Sequence, residues 1–190
     1  MNSDPKLQTE LQEIAKKNLV DQQVALAAFL STQCATQGVR LTVVGGAAVQ
    51  YYSKAEYVTK DLDAVLYYDT KEIVEGVMGA LGFKRTSSYR HFEHPDFPFV
   101  VEFPSEPVEV GGRRISQANV LQYGAHSVRV IRVEDIIMDR IIAGVEWKQP
   151  QRLAQAKLLW LKCQSIIDKK YLRQFAKEEG YEKELKKVMK

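Results

Sequence analysis

The sequence predicts an α/β fold of the α+β kind: a small mixed β-sheet with flanking helices and a helical extension at its C-terminal end. Three observations predict it. Apolar residues recur at helical spacing up to about residue 36, short β-branched and aromatic runs broken by Gly and Pro fill 39–133, and helical periodicity returns after Glu134. Over 190 residues, 45% hydrophobic against 27% charged is the balance of a globular chain, which excludes disordered and fibrous classes. A chain of this length buries roughly 70% of its unfolded surface and needs no staples.

Asp4-Pro5 reads as an N-cap followed by proline at the first helical position, after which Leu7, Leu11, Ile14 and Ala15 repeat at helical spacing. A second helix is predicted over 20–36, with Val24, Ala27 and Ala28 on one face and Gly38 ending it. A β-branched strand at 41–44 stops at Gly45-Gly46, and a short helix follows at 47–52. The stretch 61–68 opens with polar/apolar alternation and continues apolar, as a strand buried at its far end would. A helix over 70–81 closes at Gly82. Strands are predicted at 83–92 and 97–103, with Pro95 and Pro98 marking the turn, then at 108–110 and 126–133 around a loop containing Gly111-Gly112. Helices fill the remainder, interrupted near Gln149-Pro150, Asp168 and Gly180. The predicted division is a sheet unit with its N-terminal helices over 1–132 and a helical region packed on it over 133–190.

Cys34 and Cys163 lie far apart with no CxxC or Cys/His spacing, which argues against a disulfide scaffold or structural zinc. Apolar runs such as 24–30 are too short to span a bilayer, and Met1-Asn2-Ser3-Asp4-Pro5 lacks a signal pattern, so the expectation is a cytoplasmic protein without membrane partners. The net charge of +3 is unevenly spread. Residues 151–190 hold eleven Lys/Arg and five Asp/Glu, a surplus of six, which leaves the first 150 residues at −3. Such a tail either tracks phosphate or, more simply, is a solvated helix face.

The chemistry-bearing stretch begins at Leu41-Thr-Val-Val-Gly-Gly-Ala-Ala and ends at Thr59-Lys-Asp-Leu-Asp. A strand that ends in Gly45-Gly46 and opens a helix lets a phosphate approach the backbone, although tight strand-to-helix turns also need glycine for steric reasons alone. Asp61 and Asp63, two apart on a strand, project on one face. Paired carboxylates repel unless cations neutralise them, and oxygen-only ligands suit Mg²⁺. A lone Asp-x-Asp is more simply two solvated aspartates. Glu102 is the single acid within Phe97-Pro-Phe-Val-Val-Glu-Phe-Pro; it is paired, at a sheet edge, or a metal ligand. If its strand neighbours that of Asp61 and Asp63, three carboxylates converge beside the glycine turn, as a two-metal site for in-line attack on a phosphate requires. Glu93, Asp96 and Glu109 compete as third acid but sit beside turn signals.

These elements resemble the nucleotidyltransferases of the DNA polymerase β superfamily: Val44-Gly45-Gly46, Asp61-Leu62-Asp63 and Val101-Glu102-Phe103 match their three motifs in order. Within it, Val43-Val-Gly-Gly-Ala-Ala and Thr59-Lys-Asp-Leu-Asp look most like AbiEii-type and minimal nucleotidyltransferases, and Val133-Glu-Asp-Ile-Ile-Met-Asp-Arg-Ile-Ile-Ala looks like their post-sheet helix, with Arg140 at a position often basic in them. The chain departs from the pattern at Tyr57, where those proteins often carry arginine, and at Gln151-Arg152, where they carry an acid. The resemblance implies transfer of NMP from an NTP to a hydroxyl on RNA (tRNA included), protein or a small molecule. It also implies an antitoxin-like partner. Asp61, Asp63 and Glu102 would be the catalytic metal ligands for Mg²⁺ or Mn²⁺; Gly45, Gly46 and Lys60 would bind the nucleotide. A non-catalytic module of the same fold, binding RNA or a protein through the basic tail, is the alternative.

His91 and His94 would point to opposite faces of a strand and read as ordinary surface or loop residues. Lys84, Arg85 and Arg90 meet phosphates or solvent equally well. No Walker loop, G-x-S-x-G or G-x-G-x-x-G is present, so P-loop, hydrolase and dinucleotide-binding readings have no support. The segment 171–180 reads as an amphipathic helix covering the sheet.

Overall fold

The computed structural model describes residues 4–67, 71–88, 90–104 and 107–190. Its first helix, α1 (Pro5–Ala15), starts where Asp4 Oδ1 accepts the Lys6 amide at 2.9 Å, and it buries Leu11 and Ile14. α2 (Leu19–Thr36) is capped by Asn18, whose side chain accepts the Asp21 amide. All six residues from Ala25 to Leu30 are buried, so this helix is enclosed on every side at its centre. β1 (Arg40–Val43), α3 (Gly45–Tyr52), β2 (Asp61–Tyr67) and α4 (Lys71–Ala80) follow, close to the predicted bounds. Tyr68 and Thr70, included in the predicted strand and helix, lie outside the described residues.

The predicted strand at 83–92 is two strands, β3 (Lys84–Arg85) and β4 (His91–Glu93), which pair antiparallel. The reason lies in Thr86-Ser87-Ser88: Thr86 Oγ1 accepts the Ser88 amide at 3.2 Å and folds the chain into a turn. The predicted strand at 97–103 contracts to β5 (Val100–Glu102), because Phe97 and Phe99 pack as a ring cluster with Phe83. β6 (Glu109–Val110) and β7 (Arg113–Arg114) form a separate two-stranded ribbon over Gly111-Gly112. β8 (Ala118–Tyr123), absent from the sequence expectation, pairs antiparallel with β9 (His126–Ile131).

The seven-stranded sheet runs β3-β4-β5-β2-β1-β9-β8. It is mixed: β1 is antiparallel to β2 but parallel to β9, and β2 is parallel to β5. α2 packs against β1 and β9, where Leu41, Val43, Val128 and Val130 supply the apolar face. Asp61, Asp63 and Val65 therefore face the opposite side, with Thr42 beside Val65 in register.

α5 (Val133–Glu146) and α6 (Pro150–Cys163) pack against each other and against α3. α7 (Lys169–Glu179) and α8 (Glu182–Val188) complete the chain. The predicted covering helix at 171–180 corresponds to α7, which packs on α5 and on the β6–β7 ribbon. Glu179 Oε2 accepts the Gly112 amide at 2.9 Å, and the Arg113 guanidinium lies 4.1 Å from the Phe175 ring centroid. Both cysteines are buried free thiols, and no helix among the described residues is long and apolar enough to cross a membrane.

Candidate active site

The parallel register of β2 and β5 brings the three predicted acids together: Asp63 stands directly opposite Glu102, with Asp61 two residues back on the same face. Adjacent strands lie about 4.8 Å apart, so the two carboxyls are neighbours. Val101, on the other face of β5, is fully buried, which fixes the direction in which Glu102 points. On its far side Glu102 meets His91 of β4, whose Nε2 is 3.4 Å from Glu102 Oε1. His91 keeps a surface position, as expected, but stands beside Glu102, which the sequence does not indicate. His94 lies in the loop after β4, as expected. Its ring packs tilted against Phe83 and edge-on against Phe97, and burial lowers its pKa.

Gly45 and Gly46 each admit a neighbour. Gly45 has φ +58°, and a Cβ there would collide with the Asp63 carboxylate. At Gly46 a Cβ would lie 2.8 Å from Thr59 Oγ1, while its amide donates to Asp63 Oδ2 at 3.0 Å. The glycine turn therefore fixes Asp63 in place.

A buried polar chain delivers the segment that precedes Asp61. Gln50 Oε1 accepts the Thr59 amide at 2.9 Å, Gln50 Nε2 donates to Gln23 Oε1, and Gln23 Nε2 donates to the Thr59 carbonyl at 3.0 Å. Both glutamines are 2% exposed. Buried amides of this kind cost stability unless satisfied, so their mutual pairing fixes the loop rather than merely decorating it.

The carboxylates line an open cleft of about 630 Å³ that α5 and α6 close from the opposite side, contributing Asp139, Arg140, Trp147 and Arg152. Burial pushes the Asp63 carboxyl up to about 6; Glu102 and Asp61 add to the rise, against the Gly46 hydrogen bond and the Arg152 charge. Burial likewise raises Asp139 to about 6, with Arg152 opposing. Arg140, 2% exposed, pairs with Asp139 at 3.3 Å, yet its Nε has no hydrogen-bond partner among the described residues. Arg152 donates from Nε to Gln149 Oε1 at 3.2 Å and forms no ion pair with Asp63 among the described residues. Trp147, at the C-terminal end of α5, is 66% exposed.

Sequence reasoning missed Asp139 and Trp147. Asp139 is an acid in an otherwise apolar helix face, the same signal that singled out Glu102, and Trp147 carries no sequence mark at all. Lys60 is not brought into this cleft; it is exposed and lines a neighbouring groove with Lys84 and Phe97. Arg85 is held by Glu75. Of the competing acids, Glu109 lines the carboxylate cleft, whereas Glu93 lines the neighbouring groove.

Crowded hard oxygen donors of one sign suit a divalent cation; the Asp63 carboxyl is raised first by burial, with Glu102 and Asp61 adding to it. Among the described residues no group of three or more His, Cys, Asp or Glu side chains is arranged so that it could hold a metal ion by itself.

No protein-family model and no curated protein matches the chain. Two solved structures resemble it over nearly their whole length. One is an antigenic nucleotidyltransferase-like protein from Paracoccidioides brasiliensis, with TM-score 0.60 and 13% identity over 89% of this chain and 92% of that one. The other is the antibiotic-resistance factor ANT(2'')-Ia in solution, with TM-score 0.51 and 14% identity over 94% of this chain and 98% of that one. The mixed sheet with its flanking helices is thus the fold of nucleotidyltransferase-like proteins.

Proposed function

We propose that the chain is a metal-dependent nucleotidyltransferase that moves NMP from an NTP to a hydroxyl acceptor. The observation that carries the reading is the register of Asp63 against Glu102, with Asp61 on the same face and the glycine turn beside them. In the reaction the acceptor oxygen bonds to the α-phosphorus, the bond to the pyrophosphate oxygen breaks, and the hydroxyl proton leaves to a base. Glu102 would take that proton, with His91 Nε2 3.4 Å from its Oε1. Asp61, Asp63 and Glu102 would hold Mg²⁺ or Mn²⁺, which supplies charge neutralisation and alignment of the two reacting oxygens. Triphosphate oxygens would complete the open coordination sphere. Arg152, which lines the cleft, would meet the phosphates, while Arg140 is buried and paired with Asp139; Gly45-Gly46 would let the phosphates approach the start of α3. Trp147 offers a flat exposed face on which the base stacks. Lys60, away from this cleft, would reach the nucleotide only from its rim.

A second reading, a non-catalytic module of the same fold that binds RNA or a protein, is favoured by the lack, among the described residues, of three His, Cys, Asp or Glu side chains that could hold a metal ion and by the basic surplus of residues 151–190. An antitoxin-like partner rests on the sequence resemblance alone. Incubation with each labelled NTP, Mg²⁺ and total tRNA or cell extract separates the readings. Label transfer that disappears in Asp61→Ala and Asp63→Ala supports the enzyme; salt-sensitive RNA binding indifferent to both changes, with no transfer, supports the module.

A further inference from the structure

We propose that the outer edge of β8, with the cleft beside it, receives an extended acidic polypeptide segment that joins the sheet as an additional strand. This interface is separate from the carboxylate cleft and does not depend on nucleotidyl transfer.

β8 ends the sheet order and, among the described residues, pairs only with β9. Its sequence, Ala118-Asn-Val-Leu-Gln-Tyr, contains no Lys, Pro or acid, the residues that usually guard a free edge. Val120 is 56% exposed on it. Beside it opens a cleft of about 1190 Å³, walled by the C-terminal ends of α3 and α6 and by the start of α5, with Ile166 61% exposed on the rim.

The walls carry four basic side chains, Lys54, Arg129, Arg132 and Lys162, against two acids, Glu134 and Asp168. Both acids are engaged. Glu134 Oε1 accepts the Asp168 amide at 2.6 Å and Glu134 pairs with Arg132 at 3.4 Å; Asp168 caps α7 by accepting the Lys170 and Tyr171 amides. Lys162 is paired with Glu56. That leaves Lys54 with no ion pair among the described residues, on a segment where it and Ala55 both hold φ in the left-handed region (51° and 64°). The buried Nε of Arg129 likewise has no hydrogen-bond partner among the described residues. Positive charge without internal compensation, next to unpaired strand backbone, fits a strand whose cleft-facing side chains are Asp or Glu.

RNA fits less well. The cleft tyrosines are already committed: Tyr51 and Tyr52 meet edge to face at 5.1 Å, and the Tyr52 hydroxyl donates to the Ile131 carbonyl and accepts from Asn119. A second copy pairing β8 with β8 would set two basic walls side by side on the same face of one continuous sheet.

The test uses the full chain and a fluorescein-labelled peptide of about eight alternating Val and Glu residues, with a Val/Lys peptide and oligo-U as comparison probes. The expected result is salt-sensitive binding of the Val/Glu peptide alone, slowed amide exchange across 118–123 at saturation, and affinity about tenfold weaker in Lys54→Glu. Val120→Pro is the second variant; should it fail to fold, the exchange measurement on the wild-type chain still decides. The proposal is overturned if the peptide does not bind by about 1 mM, if the 118–123 amides exchange unchanged when it is bound, or if Lys54→Glu binds as tightly. It is also overturned if oligo-U displaces the peptide, or if the same amides are protected by self-association without it.

Discussion

The Gly46 amide donates to Asp63 Oδ2 at 3.0 Å, and the residue before it, Gly45, has no room for a Cβ against the same carboxylate. The motif that reads as a phosphate cradle is thus first a device for holding the Asp63 carboxylate. Gly45→Ala should destabilise the fold by about 1–3 kcal/mol through left-handed strain and the forced shift of Asp63. Gly38→Ala is the internal control: it shares the positive φ (+74°), but a Cβ there meets nothing within 4 Å. Chemical denaturation of the two variants should therefore separate strain from collision, and only Gly45→Ala should lose nucleotidyl transfer.

Asp63 titrates near 6 when folded and at 3.8 when free, so the folded state holds the extra proton between those values. Stability without metal should fall as pH rises through that window, since the native carboxyl resists ionisation. A divalent cation must displace that proton below pH 6, which makes Mn²⁺ affinity drop about tenfold per pH unit there and level off above it. Asp63→Asn should abolish the slope, while Asp139→Asn should keep most of it. Calorimetric titration with Mn²⁺ at several pH values reads both; a flat profile in the unmodified chain would remove Asp63 from the metal set.

The three acids were legible in the sequence because two local rules find them: period two places Asp61 and Asp63 together, and a lone charge in an apolar strand marks Glu102. What placed Glu102 opposite Asp63, the parallel pairing of β2 with β5, is a long-range register that no local pattern encodes. His91 was missed for the same reason, being brought to Glu102 by antiparallel pairing of β4. β8 escaped because an exposed edge strand has no buried face to impose alternation. The Gly45-Gly46 turn was legible as a close approach, but not what approaches: backbone sterics are the same for a phosphate and for Asp63.

Gln50 joins two chain segments that must agree for Asp61 to be in position. Gln50→Leu keeps the volume and strands the Thr59 amide and Gln23 Oε1 in a buried setting. The expected cost is about 2 kcal/mol in urea denaturation. Gln23→Leu combined with Gln50→Leu should cost less than the two single changes added together, because the pair then leaves fewer orphaned groups. Strict additivity would mean that the two amides do not act as one network.

Trp147 and Trp160 are the two tryptophans, and they differ sharply in environment: 66% against 6% exposed. Emission from the first is therefore the part open to solvent and to a ligand in the carboxylate cleft. Titration with an NTP and Mg²⁺ should quench it, and the quench should vanish in Trp147→Phe at unchanged fold. Trp147→Ala should weaken nucleotide binding by about 1 kcal/mol, roughly fivefold, the low end of a base–aromatic stack because the ring is open on one side. The weakening should be similar for all four bases, since a π-face does not read hydrogen-bonding edges. Nucleotide binding measured by equilibrium dialysis, with Trp147 emission unmoved, would assign the base to another surface while leaving the phosphate and metal wall intact.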